Sequence, residues 1–313
     1  MTNNKIGIGS AHGKLILIGE HSVVYNQPAI ALPVKILKTT ITISETRYGQ
    51  YIENNEFRRR LDLLGDEFQG IRQLILKLLE KFQAKSMPFS LEIESNIPLG
   101  RGLGASAALA TSITRAFFDM FKVELSQQEL KYFTDFSENI THGKSSGIDT
   151  ATVNSMGPLW FIKGQEPESV PSQLSGYLVI GDSGIYGLTS KAIGIVQEKF
   201  KEEKSATHSK MLELGQLSEK SKSHMIEDNV EKLGSVMTRA HKVLSNLGVS
   251  HPKLDALVNI ALEQGAKGAK LTGSGLGGVM IALAADEKSA ITISQKLLKS
   301  GAKNTWIYSF DKK

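Results

Sequence analysis

The sequence predicts an α+β protein of two domains, and three observations carry that prediction. Its 313 residues exceed one core of ordinary size and suit two. Stretches that alternate apolar and polar residues recur along the chain beside stretches with helical spacing. Two glycine-rich segments punctuate them, one between a strand pattern and a helix pattern, the other between two strand patterns.

Gly13 to Gly19 encloses the apolar run Leu15-Ile16-Leu17-Ile18, the signature of a buried strand. Lys14 stands at one end of it and Glu20-His21 at the other, where strands deliver side chains into sites. Lys14 is not part of a Walker A loop, which requires Gly at position 8 and Ser or Thr at 15; the chain has Ile8 and Leu15. Pro28 to Pro33 and Thr39 to Ile43 continue the β pattern. Ile71, Leu74, Ile75, Leu78, Leu79 and Phe82 predict a structural helix over 68–83, and Phe89, Leu91 and Ile93 share one face of a half-buried strand.

The stretch Pro98 to Ala108 follows, with Gly100, Gly102 and Gly104 at alternate positions and a helical pattern from Ala107 through Phe117. Glycine admits sharp turns and close ligand approach, and a helix N-terminus offers unpaired N–H groups that suit a phosphate. On these residues alone the stretch is either a phosphate cradle or a tight strand-to-helix turn. Ser126-Gln127-Gln128-Glu129 has the form of a capping box opening a helix that carries Glu138. Gly143 to Asp149 reads as a polar loop bearing an acid, and Gly157 to Lys163 and Tyr177 to Asp182 as strands. The zone from Gly184 to Lys191 is the candidate boundary. Region 196–232 is charged and reads as a helix pair on an outer face, with Met211, Leu212, Leu214 and Leu217 on one side. Gly273, Gly275 and Gly278 match G-x-G-x-x-G, but Val279 to Leu283 looks like a strand, whereas a dinucleotide fingerprint opens a helix.

Composition narrows the function classes. Hydrophobic content of 41% and charged content of 22% are those of a globular protein. The net charge of +5 suits an anionic substrate, while its dispersed cations lack the basic-aromatic clustering of nucleic-acid binders. With no cysteine there is no disulfide, no thiolate metal site and no cysteine nucleophile, in keeping with a cytoplasmic location. No apolar export segment follows Met1 and no apolar stretch is long enough to span a bilayer, so neither secretion nor membrane insertion is expected.

Lysine, acid and glycine-rich loops in this combination suit phosphoryl transfer, which needs donors for phosphates, a metal, and an acid to orient or deprotonate a hydroxyl. Ser106 and Glu138 offer a hydroxyl and a carboxylate to Mg²⁺. Asp149 is the candidate base, with Lys14 to stabilise a developing alkoxide. Taken singly, each residue has an ordinary alternative: a turn cap for Asp149, a solvated strand end for Lys14, a helix N-cap for Ser106.

The stretches Gly13–Ala31, Pro98–Ser112 and Lys270–Leu283, in this order, resemble the three motifs of the GHMP small-molecule kinases, over most of the chain. Within that superfamily the chain is most similar to the branch that acts on mevalonate. The wording from Gly13 to Ala31 carries this, with the spacing Glu138…His142-Gly143…Ser146-Gly147-Ile148-Asp149 and the pair Asp182-Ser183-Gly184…Thr189-Ser190-Lys191. Galactokinases have Thr-Asp-Tyr where this chain has Ser22-Val23-Val24.

The resemblance implies a two-domain GHMP kinase fold: residues 1–187 with a left-handed βαβ crossover, uncommon by ordinary topology, and a ferredoxin-like domain over 188–313. It implies ATP-dependent phosphorylation of the mevalonate C5 hydroxyl. Pro98, Gly100, Gly102, Leu103, Gly104, Ala105, Ser106, Ala107 and Ala108 would wrap the ATP triphosphate, and Ser106 and Glu138 would hold Mg²⁺. Asp149 and Lys14 would be the catalytic pair in contact with substrate. Glu20, His21, Gly273, Ser274 and Gly275 would stand on the substrate side. A homodimer is the family expectation. The chain departs from the pattern at Ala105, where the family commonly has Ser, so altered ATP affinity is expected. Another acceptor, such as phosphomevalonate or a sugar, and a catalytically silent ligand-binding member are the alternatives.

Overall fold

The computed structural model describes residues 5–143 and 147–310. These form two compact units, each assembled from several segments. The first takes the chain up to Lys14 with Pro33–Ile97 and Gly104–Ser155; the second takes Leu15–Leu32, Pro98–Leu103 and the chain from Met156. The compact units therefore do not coincide with the sequence division at 187/188.

In the first unit, β1 (Ile6–Ile18) and β2 (Ala29–Glu45) lie side by side, each continuing into a segment of the second unit. Next come β3 (Gln50–Glu53), β4 (Arg58–Arg60), α1 (Gln69–Lys81) and β5 (Phe89–Ser95). The strands follow the order β4-β3-β5-β2. β3 and β5 are parallel, joined by a crossover through α1, while β5 pairs antiparallel with β2 from Thr39↔Ser95 to Glu45↔Phe89. Helices α2 (Ala105–Met120) and α3 (Gln127–His142) pack on each other, and short α4 (Ile148–Val153) packs on both. The predicted helical stripe of α1 is the buried one. Leu74 and Leu78 join Ile41, Ile43, Phe89, Leu91, Ile113, Phe117 and Phe133 in one core. Phe89 and Phe117 meet edge-on at 5.9 Å, a favourable ring arrangement.

The capping box of α3 forms as predicted: Ser126 accepts from the Glu129 N–H, and the Glu129 side chain returns to the Ser126 N–H. Asp149, expected in a loop, instead occupies the first turn of α4, after Gly147 at φ 82°. Threonine, alanine, threonine and valine follow it without a breaker, so the chain can close a turn there. Ser146 of the resemblance lies outside the described residues.

The second unit adds β6 (Leu159–Phe161), paired with β2 at Ala29–Ala31, and β7 (Glu168–Ser169) beside it. Then come β8 (Tyr177–Asp182), α5 (Thr189–Glu202), α6 (Lys204–Ile226), α7 (Val230–Asn246) and α8 (Pro252–Glu263). β9 (Gly268–Leu271), β10 (Val279–Ala284), α9 (Glu287–Lys299) and β11 (Thr305–Ser309) complete it. Its antiparallel sheet has the order β11-β8-β10-β9. Numbered within the sheet that is 4-1-3-2, the ferredoxin-like arrangement.

Region 196–232 is not simply an outer helix pair. It spans the end of α5, all of α6 and the start of α7, and α6 buries Met211, Leu214, Leu217 and Met225. Leu212, grouped with that face by the sequence, is 41% exposed, because it lies one residue and therefore about 100° from Met211 around the helix. The strand-loop-strand prediction for Gly268–Leu283 holds, so the literal G-x-G-x-x-G opens no helix. Among the described residues no helix is long and apolar enough to cross a membrane.

Candidate active site

In the first unit the sequence places a lysine and an acid on two different elements, and the fold brings them together. β1 alternates exposed and buried residues up to Gly13 and is buried from there on. Lys14 is therefore inside, its side chain 6% exposed, and its Nζ lies 2.6 Å from Asp149 Oδ1, a carboxylate 35% exposed. The N-terminal turn of α4 also favours negative charge at Asp149.

Two side chains tie α4 to β1. His12 shares a strand face with Lys14 and places Nε2 2.9 Å from the carbonyl of Ser155 and Nδ1 3.0 Å from that of Gly13. Arg115 of α2 donates to the Ser10 carbonyl at 2.5 Å and to Asn154 Oδ1 at 3.1 Å. Burial pushes the His12 imidazole down, against the two carbonyls, which favour its protonated form. Neither residue was among those expected at the site. The two-residue step from Lys14 was a signal for His12; nothing in the local pattern singles out Arg115.

Gly104 is the N-cap of α2 at φ 75°, a conformation that suits glycine. A Cβ there would come within 2.7 Å of Lys14 Cγ, so the helix start and the lysine pack without room for any other residue. Ala108 N–H bonds the Gly104 carbonyl. The N–H groups of Ala105, Ser106 and Ala107 precede the first intrahelical donor, and no side chain caps them. Ser106 is thus not the N-cap; its hydroxyl donates to Glu138 Oε1 at 2.5 Å.

Glu138 is buried on α3. Burial raises its pKa above the ordinary 4.5; Ser106, His142 and Lys14 act to lower it, and Asp149 to raise it. A cation at these oxygens would offset that cost of ionisation. The hydroxyl and carboxylate are hard oxygen ligands of the kind Mg²⁺ takes when phosphates and waters complete its shell. The donor set therefore fits Mg²⁺.

In the second unit, Pro98, Gly100, Gly102 and buried Leu103 belong to the segment that ends at Leu103. Gly100 accepts at its carbonyl from the Gly187 N–H at 2.9 Å. Arg101 is engaged at the end of β8: its Nε lies 2.8 Å from Asp182 Oδ1 and its Nη2 donates to the Gly184 carbonyl at 3.1 Å. Ser183 Oγ donates to the Gly278 carbonyl at 2.7 Å, holding the end of β8 on the glycine-rich loop between β9 and β10. Gly275 sits in that loop at φ 72°, where a Cβ would strike the Val249 carbonyl.

His21 reaches the same loop, its Nε2 2.9 Å from the Ser274 carbonyl. Burial pushes the imidazole down from its ordinary value, and the carbonyl opposes this. Thr189 donates to Ser274 Oγ at 3.3 Å. The Glu20 carboxylate is only 1% exposed and pairs with Lys270, which is wholly buried and which the sequence reading did not single out. His21, Gly273, Ser274 and Gly275 are thus neighbours, with Glu20 behind them.

Comparison with known proteins gives this geometry a context. Residues 71–157 match the GHMP kinases N terminal domain and residues 223–303 the GHMP kinases C terminal domain. A mevalonate kinase of Pyrococcus furiosus is 31% identical, with 93% of this chain and 92% of that protein covered. The crystal structure of mevalonate kinase from methicillin-resistant Staphylococcus aureus is 32% identical with a TM-score of 0.77, covering 97% of this chain and 99% of that one. The L. major mevalonate kinase in complex with R-mevalonate shares the fold at a TM-score of 0.83 and 24% identity, covering 98% and 95% of the two chains.

Proposed function

The chain belongs to the GHMP kinase family, with mevalonate kinases as relatives along nearly its whole length, and from that premise we propose that it phosphorylates the C5 hydroxyl of mevalonate with ATP. The observation that carries this is the Lys14–Asp149 pair beside the uncapped N-terminus of α2.

Each residue then has a task. The N–H groups of Ala105, Ser106 and Ala107 receive phosphate oxygens, helped by the positive end of the α2 dipole. Ala105 supplies no hydroxyl, so at that position the backbone alone binds. Pro98, Gly100, Gly102, Leu103, Gly104 and Ala108 shape the rest of the triphosphate loop. Ser106 and Glu138 would hold Mg²⁺. When bound, the ion neutralises charge that develops on the phosphate oxygens. Asp149 accepts or orients the proton of the attacking hydroxyl, and Lys14 stabilises the oxygen as it gains charge. In a loose transition state positioning outweighs early proton removal, so Asp149 acts first as an orienting group. His21, Ser274 and the glycines beside it contact the acceptor.

A division into the family's two domains at 187/188 is supported by the two family matches falling on either side of it, with β8 (Tyr177–Asp182) joining the second domain's sheet from before that point. A cytoplasmic location and a homodimer complete the proposal, the first supported by the absence of cysteine. The test is a panel of acceptors with ATP and Mg²⁺: mevalonate, phosphomevalonate, galactose and homoserine. Turnover of mevalonate above the others is expected. Turnover of phosphomevalonate without mevalonate, or of no acceptor while ATP still binds, contradicts it.

A further inference from the structure

We propose that the buried Lys270–Glu20 ion pair is a positioning device that holds a strained turn at His21 and fixes which nitrogen of that imidazole carries the proton. The proposal rests on the mevalonate kinase reading for its kinetic consequence, and on the second unit alone for its geometry.

Three side-chain ties fasten the segment from Ile16 to His21 to the segment from Lys270 to Ser274. Thr272 Oγ1 donates to the Ile16 carbonyl at 2.6 Å and accepts from the Ile16 N–H at 3.2 Å. The Lys270 ammonium donates to Glu20 Oε1 and, at 2.7 Å, to the Leu271 carbonyl. His21 Nε2 meets the Ser274 carbonyl at 2.9 Å. Behind them, His241 Nδ1 accepts from the Leu271 N–H at 3.3 Å while its Nε2 faces Asp255 at 3.2 Å.

The backbone between Glu20 and Ser22 is what the ties restrain. His21 has φ 60° and ψ −42°, and the Ser22 N–H donates to the Glu20 carbonyl at 2.7 Å. A two-residue hydrogen bond across a positive φ is the γ-turn of the uncommon, strained hand. A non-glycine residue keeps such a conformation only where its surroundings over-determine it. Glu20 is the residue that enters the turn, and Lys270 holds its carboxylate in a place without solvent.

An ion pair is a costly way to fill that space. Two charges lose their hydration, and an apolar pair of equal volume is often as stable or more so. Stability alone therefore does not account for Lys270. Orientation does, because an apolar pair would fill the volume without directing Glu20. The carbonyl of Ser274 can only accept, so a neutral His21 carries its proton on Nε2. Its Nδ1 is then a lone-pair acceptor, suited to a substrate hydroxyl and unsuited to a carboxylate.

The experiment combines ¹⁵N NMR of the histidine rings with steady-state kinetics on the full chain. Wild type is expected to show His21 neutral with the proton on Nε2; a proton on Nδ1 overturns the proposal without any variant. Lys270→Met removes the cation beside a buried carboxylate and is expected to lower Tm. The uncharged double variant Glu20→Gln/Lys270→Met is expected to regain Tm, yet to lose its single His21 tautomer and to fall by roughly 10- to 100-fold in kcat/KM for mevalonate. Its KM for ATP is expected to stay within about twofold of wild type, as for a defect confined to the acceptor side. A double variant with wild-type Tm, His21 spectrum and mevalonate kinetics overturns the proposal. If wild type turns over no mevalonate while the tautomer responds as described, the positioning stands and the substrate reading falls.

Discussion

Lys14 Nζ and Asp149 Oδ1 lie 2.6 Å apart, the lysine almost wholly enclosed and the aspartate one-third exposed. The lysine is thus the buried, fixed partner and the aspartate the one with a side open to a reactant. Lys14→Met removes the cation and leaves the acid in place. The expected result is a fall in kcat of about 10²–10³, the usual effect of removing one charge-stabilising group from a transition state. Lys14→Arg is expected not to restore it, since a planar guanidinium cannot replace a compact ammonium in an enclosed slot. Recovery of kcat in the Arg variant would count against this assignment.

Gly104→Ala tests the contact between the start of α2 and Lys14. The backbone conformation alone costs about 1–2 kcal/mol for a non-glycine residue, and the new methyl would press on Lys14 Cγ. Gly265→Ala is the control, because Gly265 has φ 89° and open space around it. Both variants are expected to lose Tm, and only Gly104→Ala to lose kcat as well. Equal kinetics in the two would contradict a coupling of this glycine to Lys14.

Ser106→Ala and Glu138→Gln each remove one of the two oxygens assigned to Mg²⁺. A titration of ATP turnover against Mg²⁺ is expected to shift its midpoint upward by at least about tenfold in either variant. An unchanged midpoint in both would assign the metal elsewhere.

Acid should weaken the fold before it protonates most carboxylates. His12, His21 and His241 are all held below their ordinary 6.5, in each case chiefly by burial. As pH falls through about 6.5 the unfolded chain takes up protons that the folded chain refuses, so stability declines. Glu138 acts in the opposite sense. Its raised pKa adds stability that is fully present below about 4.5 and lost as pH rises through the folded value. Melting curves from pH 8 to 5.5 are expected to show a falling Tm below 6.5. A Tm that rises on acidification would contradict the account.

Motif residues, spacing and capping signals made much of this molecule legible beforehand. The α1 stripe, the α3 capping box, and the strands on both sides of Gly273–Gly278 follow from local periodicity and turn chemistry, which a chain displays in order. Lys14, Ser106, Glu138 and Asp149 were each visible as residue types in suggestive places. That Lys14 meets Asp149, and Ser106 meets Glu138, depends on contacts across 135 and 32 positions; no local pattern carries such a distance. Lys270 carries no local signal for the same reason. A lysine in a strand reads as solvated, and only its pairing with Glu20, 250 positions away, makes it a buried group. In sequence Asp149 reads as a loop residue because the polar run before it gives no helix signal, and α4 is too short to display periodicity.

In the proposed reaction Asp149 orients the attacking hydroxyl of mevalonate beside Lys14. Asp149→Asn tests it most directly, since asparagine keeps the shape and removes the charge. Phosphoryl transfer from ATP to mevalonate, measured with both substrates saturating, is expected to fall in kcat by about 10²–10⁴, with ATP binding and Tm near wild type. An Asp149→Asn variant that retains wild-type kcat on mevalonate would contradict the account.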